Sequence, residues 1–330
     1  MQLLNLRRLT SWIIIAVIIM VALLWVLSGG NTPHTNKTDS TGAVVVWYPP
    51  DTSLLPHTAE GMLIRYGREL VANTSHYLGP KGIVAQITNG MNCQNCHLDA
   101  GTRRWGNNYG AVFSTYPRFR ERSGSVENIY KRINDCIDRS LNGHTLDTAS
   151  MEMQAIAAYI NWVGHNVPKG IKPTGAGIRD IVFLNRPADS LSGRKVYTQK
   201  CQRCHATDGS GLKSDDGTKY IYPPLWGSNS YNVGAGLHRL SRFAGYVRDN
   251  MPFDAPYNSE PLTDVEAWDV AAFVNSQPRP AKDYSKDYPD IGGKPIDHPF
   301  GPFKDQFSEH QHKYGPFATI KSAKEKKKEK

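Results

Sequence analysis

Two short segments of the sequence share one pattern, in which two cysteines separated by two residues are followed directly by a histidine. Residues 93–97 are CQNCH and residues 201–205 are CQRCH. This pattern is typical of covalent haem attachment, because the two thiols add to the haem vinyl groups and the histidine binds the iron. The sequence therefore predicts two haem c groups, held by Cys93, Cys96, His97, Cys201, Cys204 and His205.

Other uses of paired cysteines explain these two segments less well. A zinc site built from two such pairs places them about 15–20 residues apart, whereas here the pairs begin at Cys93 and Cys201. A thioredoxin-like redox pair does not need the histidine that follows each pair, and two disulfides would leave both histidines unexplained. Haem attachment accounts for all six residues.

The fifth cysteine, Cys136, has no thiol partner once the other four are assigned to haem. One interpretation is a small buried apolar residue, which is how most free cysteines behave. The other is an iron ligand, since Cys136 follows His97 by about 40 residues, where small c-type domains place a distal ligand.

The residues around Cys136 predict a helix from Ser125, as its cap, to Leu141, ended by Asn142 and Gly143. Arg132, Cys136 and Ser140 are spaced by four residues and would share one face of this helix. That face would combine a guanidinium, a thiol and a hydroxyl, which are groups suited to holding a small oxyanion beside a sulfur atom.

Met251 is the candidate distal ligand of the second haem. It follows His205 by about 46 residues and precedes Pro252, and a thioether ligand raises the haem potential. A helix over residues 191–200 leads into Cys201, and a capping box at Thr263 begins a closing helix. This order of elements is typical of a compact all-α cytochrome c domain.

The first half of the chain repeats this plan with a change at the distal ligand. Helices are expected over residues 59–73, before the first haem motif, and over residues 151–163 as the closing helix. Met153 lies on the apolar stripe of the closing helix and Met151 in its first turn, so Cys136 is the better placed ligand. We therefore expect two class I-like cytochrome c domains in tandem.

The N-terminus predicts export. Residues 12–27 are an unbroken apolar run preceded by Arg7 and Arg8, which orient such a segment with its basic flank in the cytoplasm. An uncleaved anchor is favoured over a removed signal because no Ala-x-Ala site follows. The expected organisation is anchor or signal 1–30, spacer 31–50, first cytochrome domain 51–167, linker 168–188, second cytochrome domain 189–280, extended wrap 281–320 and disordered charged tail 321–330.

The formal charge of +9 does not indicate nucleic-acid binding. The last ten residues hold six lysines and two glutamates, and the arginines before the apolar run add two further positive charges, which leaves about +3 for the rest of the chain. Four haem propionates would bring this to about −1. We find no basic stripe with interleaved aromatic residues. His310 and His312 are expected to be solvent-exposed rather than metal ligands.

Several segments resemble the dihaem thiosulfate dehydrogenases over roughly residues 47–320. The most distinctive lie on the cysteine-bearing helix, 132–136 (RINDC) and 139–143 (RSLNG), and the others are 64–67 (IRYG), 77–80 (YLGP), 116–124 (YPRFRERSG), 298–302 (HPFGP) and 312–317 (HKYGPF). The resemblance implies an enzyme that couples two thiosulfates to tetrathionate with release of two electrons, in either direction.

The resemblance also implies residue roles. The first haem would be the active site, with His97 and Cys136 as ligands and with Arg122, Arg132 and Ser140 lining the substrate pocket. The second haem would exchange electrons with a small c-type cytochrome or another periplasmic partner. Some members of the family have a lysine before the distal methionine, but this chain has Asn250 there, so constant His205/Met251 ligation is expected.

We further hypothesise that Cys136 leaves the iron and transiently bonds a substrate sulfur. Two alternatives stay open at this point. One is a membrane-tethered dihaem electron carrier without its own substrate, in which Met151 is the ligand and Cys136 is inert. The other is a dihaem peroxidase, which needs a displaceable haem ligand.

Overall fold

The computed structural model describes residues 45–253 and 261–327. The predicted anchor or signal and most of the predicted spacer lie outside these residues. Within the described ranges, no helix is long and apolar enough to cross a membrane. The end of the predicted spacer is packed against the first domain, since Trp47 is buried, its N–H donates to Thr174 O at 2.9 Å and its indole donates to Val163 O at 3.3 Å.

The first domain is helical, and the helices predicted over residues 59–73 and 151–163 are confirmed to within a residue. Its helices are α1 (Ala59–Ala72), α2 (Thr74–Leu78), α3 (Leu98–Gly101), α4 (Val112–Thr115), α5 (Ile129–Ser140) and α6 (Met151–Val163). Helices α1 and α6 pack closely at Gly67, where a Cβ would overlap the carbonyl oxygen of Ala155. Glycine is therefore needed at this contact, which closes the domain around the haem motif.

The second domain repeats this arrangement. Its helices are α7 (Ser190–Lys200), α8 (Gln202–His205), α9 (Leu240–Asn250) and α10 (Asp264–Ser276). Helices α7 and α10 meet at Gly193, where a Cβ would overlap the carbonyl oxygen of Asp269. The predicted capping box at Thr263 is confirmed, because its Oγ1 accepts from Glu266 N at 3.2 Å and Glu266 Oε2 accepts from Thr263 N at 2.9 Å.

Besides its helices, the structure contains two small antiparallel hairpins, which the expected all-α fold did not include. They pair β1 (Arg118–Arg120) with β2 (Ser125–Glu127) and β3 (Leu212–Lys213) with β4 (Tyr220–Tyr222). The predicted start of the cysteine-bearing helix at Ser125 is wrong, because Ser125 pairs with Arg120 in the first hairpin. Helix α5 begins later, where Asn128 Oδ1 accepts from Lys131 N at 2.9 Å, and its spacing of Arg132, Cys136 and Ser140 is unchanged.

The C-terminal wrap (residues 281–320) is less extended than expected. It contains a 3₁₀ turn (Ile291–Gly293), α11 (Glu309–Tyr314) and the start of α12 (Phe317–Lys326). Helix α12 continues into the segment predicted as a disordered tail, because Phe317 is buried against Trp268, with ring centroids 5.5 Å apart. Further 3₁₀ turns cover Thr52–Leu54, Cys93–Asn95 and Gly236–His238.

The two histidines of the wrap differ from each other. His310 is exposed, as expected. The expectation of exposure is wrong for His312, which is buried with its Nδ1 hydrogen-bonded to Ile296 O at 2.8 Å and its Nε2 lying 3.0 Å from Asp305 Oδ1. Its ring also stacks on Phe303 at 3.7 Å between centroids. His312 therefore joins separate segments of the C-terminal wrap to one another.

Candidate active site and haem sites

The first haem motif follows α2 after a loop over residues 79–92, and it is fixed to the end of α1 and the start of α2. Thr74 Oγ1 accepts from Cys93 N at 3.0 Å, and the Gln94 amide donates to Ala72 O at 2.6 Å. All five cysteines lie in the described part of the chain, and none of them forms a disulfide. The two cysteines of this motif are therefore available for thioether bonds, and the backbone that carries them is held by the preceding helices.

The proximal histidines of both motifs are oriented in the same way. His97 Nδ1 donates to Asn107 O at 2.5 Å, and His205 Nδ1 donates to Pro223 O at 2.9 Å. Because a carbonyl can only accept, each imidazole keeps its Nε2 as the acceptor, which is the atom that binds iron. The residues present thus fit a haem c group at both motifs.

The thiols of the haem motifs and Cys136 differ in their electrostatic surroundings. Burial raises the pKa of Cys93 to about 11 and the pKa of Cys96 and Cys201 to about 12. Burial also raises the pKa of Cys136, but the charge of Arg132 and the neighbouring His97 outweigh it and lower that pKa to about 7. Cys136 is therefore the cysteine that its surroundings favour as a thiolate.

The same contacts place Cys136 close to the first haem motif. Its side chain faces His97, from the middle of α5, and is close enough to Cys93 and Cys96 to raise their pKa values. A thiolate beside the histidine of a haem motif is a group that would be able to bind the haem iron. The structure thus brings together residues that are 39 positions apart in the sequence.

Arg132 lies beside Cys136, one turn earlier on α5. The negative charge of Cys136 is the largest influence that raises the pKa of Arg132, with further contributions from Tyr116 and Glu127. The guanidinium therefore stays charged next to the sulfur. Ser140 follows one turn after Cys136 and is partly exposed, so the predicted face of guanidinium, thiol and hydroxyl is present on α5.

Arg122 has contacts of a different kind. Its Nη1 donates to Gly234 O in the second domain at 2.6 Å and lies 3.5 Å from Asp287 Oδ2 in the wrap. Arg139, which the sequence did not single out as a site residue, forms two hydrogen bonds with the same carboxylate at 2.8 and 2.7 Å. The sequence carries no signal for these pairs, because their partners lie more than 100 residues apart.

Met251 lies directly after the last turn of α9. Its N–H donates to Val247 O at 2.9 Å, and its half-buried side chain packs against the hydrophobic core. Asn250 before it is fully buried, and its amide donates to Tyr246 O at 2.9 Å and to Trp105 O of the first domain at 3.2 Å. These contacts hold Asn250 between the two domains.

Comparisons with known families support two cytochrome domains. Residues 84–168 match the family described as SoxA/TsdA, cytochrome c domain. Residues 188–274 match the family described as cytochrome C oxidase, cbb3-type, subunit III. The two matches include both haem motifs, so the chain carries two haem c groups.

Several relatives match most of the chain. It is 34% identical to a thiosulfate dehydrogenase of Allochromatium vinosum over 79% of this chain and 93% of that protein, and 34% identical to one of Psychrobacter arcticus over 81% and 78%. The as-isolated form of a thiosulfate dehydrogenase (TsdBA) from Marichromatium purpuratum superposes with a TM-score of 0.65 at 31% identity, covering 71% of this chain and half of that one. The chain is therefore a dihaem c-type oxidoreductase and belongs to the thiosulfate dehydrogenase family.

Proposed function

We propose that this enzyme interconverts two thiosulfate ions and one tetrathionate ion at its first haem, with Cys136 as the distal ligand opposite His97. The observation that carries this proposal is the meeting of Cys136, His97 and Arg132 in one site. The relatives that match most of the chain are named thiosulfate dehydrogenases. An electron carrier would need neither a thiolate ligand nor a cation beside it.

Charge explains why arginines belong in this site. Two thiosulfate dianions must approach sulfur to sulfur, and their repulsion is strong wherever water is excluded. Arg132 stays charged beside Cys136 and offsets that repulsion. Ser140 adds a hydroxyl for a sulfonate oxygen, and Arg122 adds a second guanidinium at the edge of the site, where it is held by Gly234.

Cys136 can also act as a sulfur acceptor. Its thiolate forms an S–S bond with the terminal sulfur of one thiosulfate as two electrons leave, which gives a Cys136 thiosulfonate. The terminal sulfur of a second thiosulfate then attacks the substrate sulfur bound to Cys136, breaks that S–S bond, restores the thiolate and releases tetrathionate. Both steps balance in charge, and the reverse order describes tetrathionate reduction.

Two haem groups supply one-electron acceptors for the two electrons that the reaction releases. At the second site, His205 and Met251 would hold the haem iron, and a His/Met pair would give that haem a relatively high potential. We propose an external partner of the small c-type cytochrome class. The periplasm is the compartment for this exchange, and residues 1–30 provide a membrane tether or, alternatively, a cleaved signal.

A charge-matched pair of variants tests this function. Arg132→Gln removes the cation beside Cys136, whereas Lys131→Gln removes the same charge from the exposed neighbour that pairs with Asp135. With the dihaem protein and an artificial electron acceptor, we expect two thiosulfates consumed per tetrathionate formed. Arg132→Gln should lower kcat/KM by about a hundredfold, the cost of losing one strong electrostatic contact to the reacting group.

The control defines the outcome that would contradict the proposal. Lys131→Gln should retain turnover within about twofold, because exposed ion pairs on helices contribute little. If both variants retain the full rate, Arg132 does not act on the substrate. If the dihaem wild type forms no tetrathionate from thiosulfate, and no thiosulfate from tetrathionate under reducing conditions, the proposed function is wrong.

A further inference from the structure

The C-terminal wrap reaches the end of the cysteine-bearing helix through one carboxylate. Asp287 is nearly buried, with 10% of its side chain exposed, and accepts both hydrogen bonds of a bidentate pair from Arg139. Arg139 lies three residues after Cys136, in the last turn of α5. A bidentate arginine pair fixes direction as well as distance, so the wrap determines how this turn is placed.

The Asp287 carboxylate also lies beside Arg122. Arg122 Nη1 is 3.5 Å from Asp287 Oδ2, and the backbone of the two segments is joined where Tyr288 N donates to Arg122 O at 2.7 Å. Asp287 therefore connects the loop between β1 and β2 to α5. One negative charge is shared by two guanidinium groups, Arg122 and Arg139.

The second domain caps the same helix. The last carbonyl groups of a helix have no partner within it. On α5, Asn232 N donates to Arg139 O at 3.0 Å, and the Asn232 amide donates to Asp138 O at 2.9 Å and to Asn142 Oδ1 at 3.0 Å. Asn232 is 1% exposed, so this cap is part of the interface between the domains.

We propose that Asp287 and Asn232 are positioning residues for the active site, acting through the end of α5 and through Arg122. This inference rests on the proposed function. Neither residue lies on the face of Arg132, Cys136 and Ser140. By holding the turn that follows Cys136, they set where the thiolate and Ser140 lie. By lying beside Arg122, Asp287 also determines how much positive charge reaches the substrate.

The charge arrangement gives this role a kinetic signature. With Asp287 in place, its carboxylate compensates one of the two guanidinium groups. Asp287→Asn keeps the size of the side chain but leaves Arg122 and Arg139 without their anion. The substrate dianion should then bind more tightly while the reacting groups are less well oriented. We therefore expect KM for thiosulfate to fall about threefold and kcat to fall about tenfold, well below the hundredfold loss that a misplacement of about 1 Å can cause.

A second buried carboxylate of the wrap provides a matched control. Asp297 is 1% exposed and pairs with Arg239, with Nε to Oδ1 at 2.8 Å, and it accepts from Ser241 N at 3.1 Å. These partners begin α9 in the second domain, so Asp297→Asn removes the same charge from the same segment without touching α5.

The experiment measures both variants and Asn232→Asp as dihaem proteins. Low-temperature EPR of the oxidised proteins separates the low-spin His/thiolate signal from the His/Met signal without any turnover. Asp287→Asn and Asn232→Asp should shift or split the thiolate signal and leave the His/Met signal unchanged. Asp297→Asn should leave the thiolate signal and the KM for thiosulfate unchanged, and thermal unfolding checks that each variant is folded.

Two results would overturn the inference. One is a thiolate signal that is identical to wild type in both Asp287→Asn and Asn232→Asp. The other is an equal change of KM and kcat in Asp287→Asn and Asp297→Asn. If the wild type does not act on thiosulfate, the proposed function fails by itself, while the EPR comparison still decides whether Asp287 and Asn232 position Cys136.

Discussion

The two cytochrome domains are alike on the proximal side of the haem and different on the distal side. Each proximal histidine donates its Nδ1 proton to a backbone carbonyl, Asn107 O in one domain and Pro223 O in the other. Each domain is closed by a helix pair that meets at a glycine, Gly67 or Gly193. The shared features hold a haem, so the difference in function must come from the distal side.

On the distal side, the two ligand candidates occupy different kinds of backbone. Cys136 lies in the middle of α5, one turn after Arg132, and other segments hold the end of that helix. Met251 lies just after the end of α9, in an extended backbone conformation. A charged thiolate suits substrate chemistry and a lower potential, whereas a neutral thioether suits electron relay at a higher potential.

Replacing Cys136 with methionine gives the first site the same candidate distal side chain as the second. Cys136→Met should retain both covalent haems, because attachment depends on the other four cysteines. Turnover of thiosulfate should fall about a hundredfold or more, as when a nucleophile is removed, and the thiolate EPR signal should disappear. The measurements are tetrathionate formation, the mass of the haem-bound protein and EPR.

The neighbouring residue gives the control for that variant. Ile137 is buried on the adjacent face of α5, so Ile137→Met places the same side chain on the same helix outside the site. It should keep most of the activity, since such volume-conserving changes cost less than about 1.5 kcal/mol. Full thiosulfate turnover in Cys136→Met would show that the cysteine has no chemical role.

A smaller effect is expected at the relay site. Met251→Ala removes the thioether and should lower the potential of the second haem, because His/Met ligation raises it. A fall of about 60 mV disfavours a one-electron transfer to that haem about tenfold. Stopped-flow spectroscopy should show that thiosulfate still reduces the first haem, while steady-state electron delivery slows. Met62→Ala, on the exposed side of α1, is the control, and an unchanged steady-state rate in Met251→Ala would contradict the relay role.

The sequence was sufficient for the parts of the molecule that depend on local pattern. The haem motifs, the closing helices and the face of Arg132, Cys136 and Ser140 follow from spacing alone. The start of α5 was predicted too early because Ser125 is a good helix cap in isolation. In the structure, Ser125 instead pairs with Arg120 as part of strand β2. The contacts of Asp287 and Asn232 with α5 are long-range, and no local signal distinguishes these residues from other polar loop residues.

The glycine contacts test whether the two domains are equally dependent on close helix packing. Gly67→Ala and Gly193→Ala each place a methyl group against a backbone carbonyl that cannot move away cheaply. Each should lower the free energy of unfolding by about 1–3 kcal/mol, the usual cost of overpacking. Thermal and denaturant unfolding measure this, with Gly236→Ala as the control because its Cβ would lie in open space. If only one of the two variants loses stability, the glycine contact in the other domain can relax around the added methyl group.

The smallest expected difference lies at the caps of the two closing helices. Ser150 Oγ accepts from Met153 N at 3.3 Å, whereas Thr263 Oγ1 accepts from Glu266 N and donates to Glu266 Oε2, both at 3.2 Å. Ser150→Ala and Thr263→Ala should each cost about 1 kcal/mol. The loss should be larger for Thr263→Ala at pH 7, because its hydroxyl bonds an ionised carboxylate.

The pH dependence separates the two caps. Burial raises the pKa of Glu266, but hydrogen bonds from Lys200 and from the Thr263 backbone outweigh it, and the pKa of Glu266 is lowered. The ionised carboxylate therefore stabilises the fold above its ordinary pKa of 4.5, and this contribution is lost as the pH falls through the lowered value. Urea unfolding at pH 7 and at pH 3 should show a larger excess loss in Thr263→Ala at the higher pH. An excess of the same size at both pH values would mean that the charge of Glu266 does not contribute to the cap.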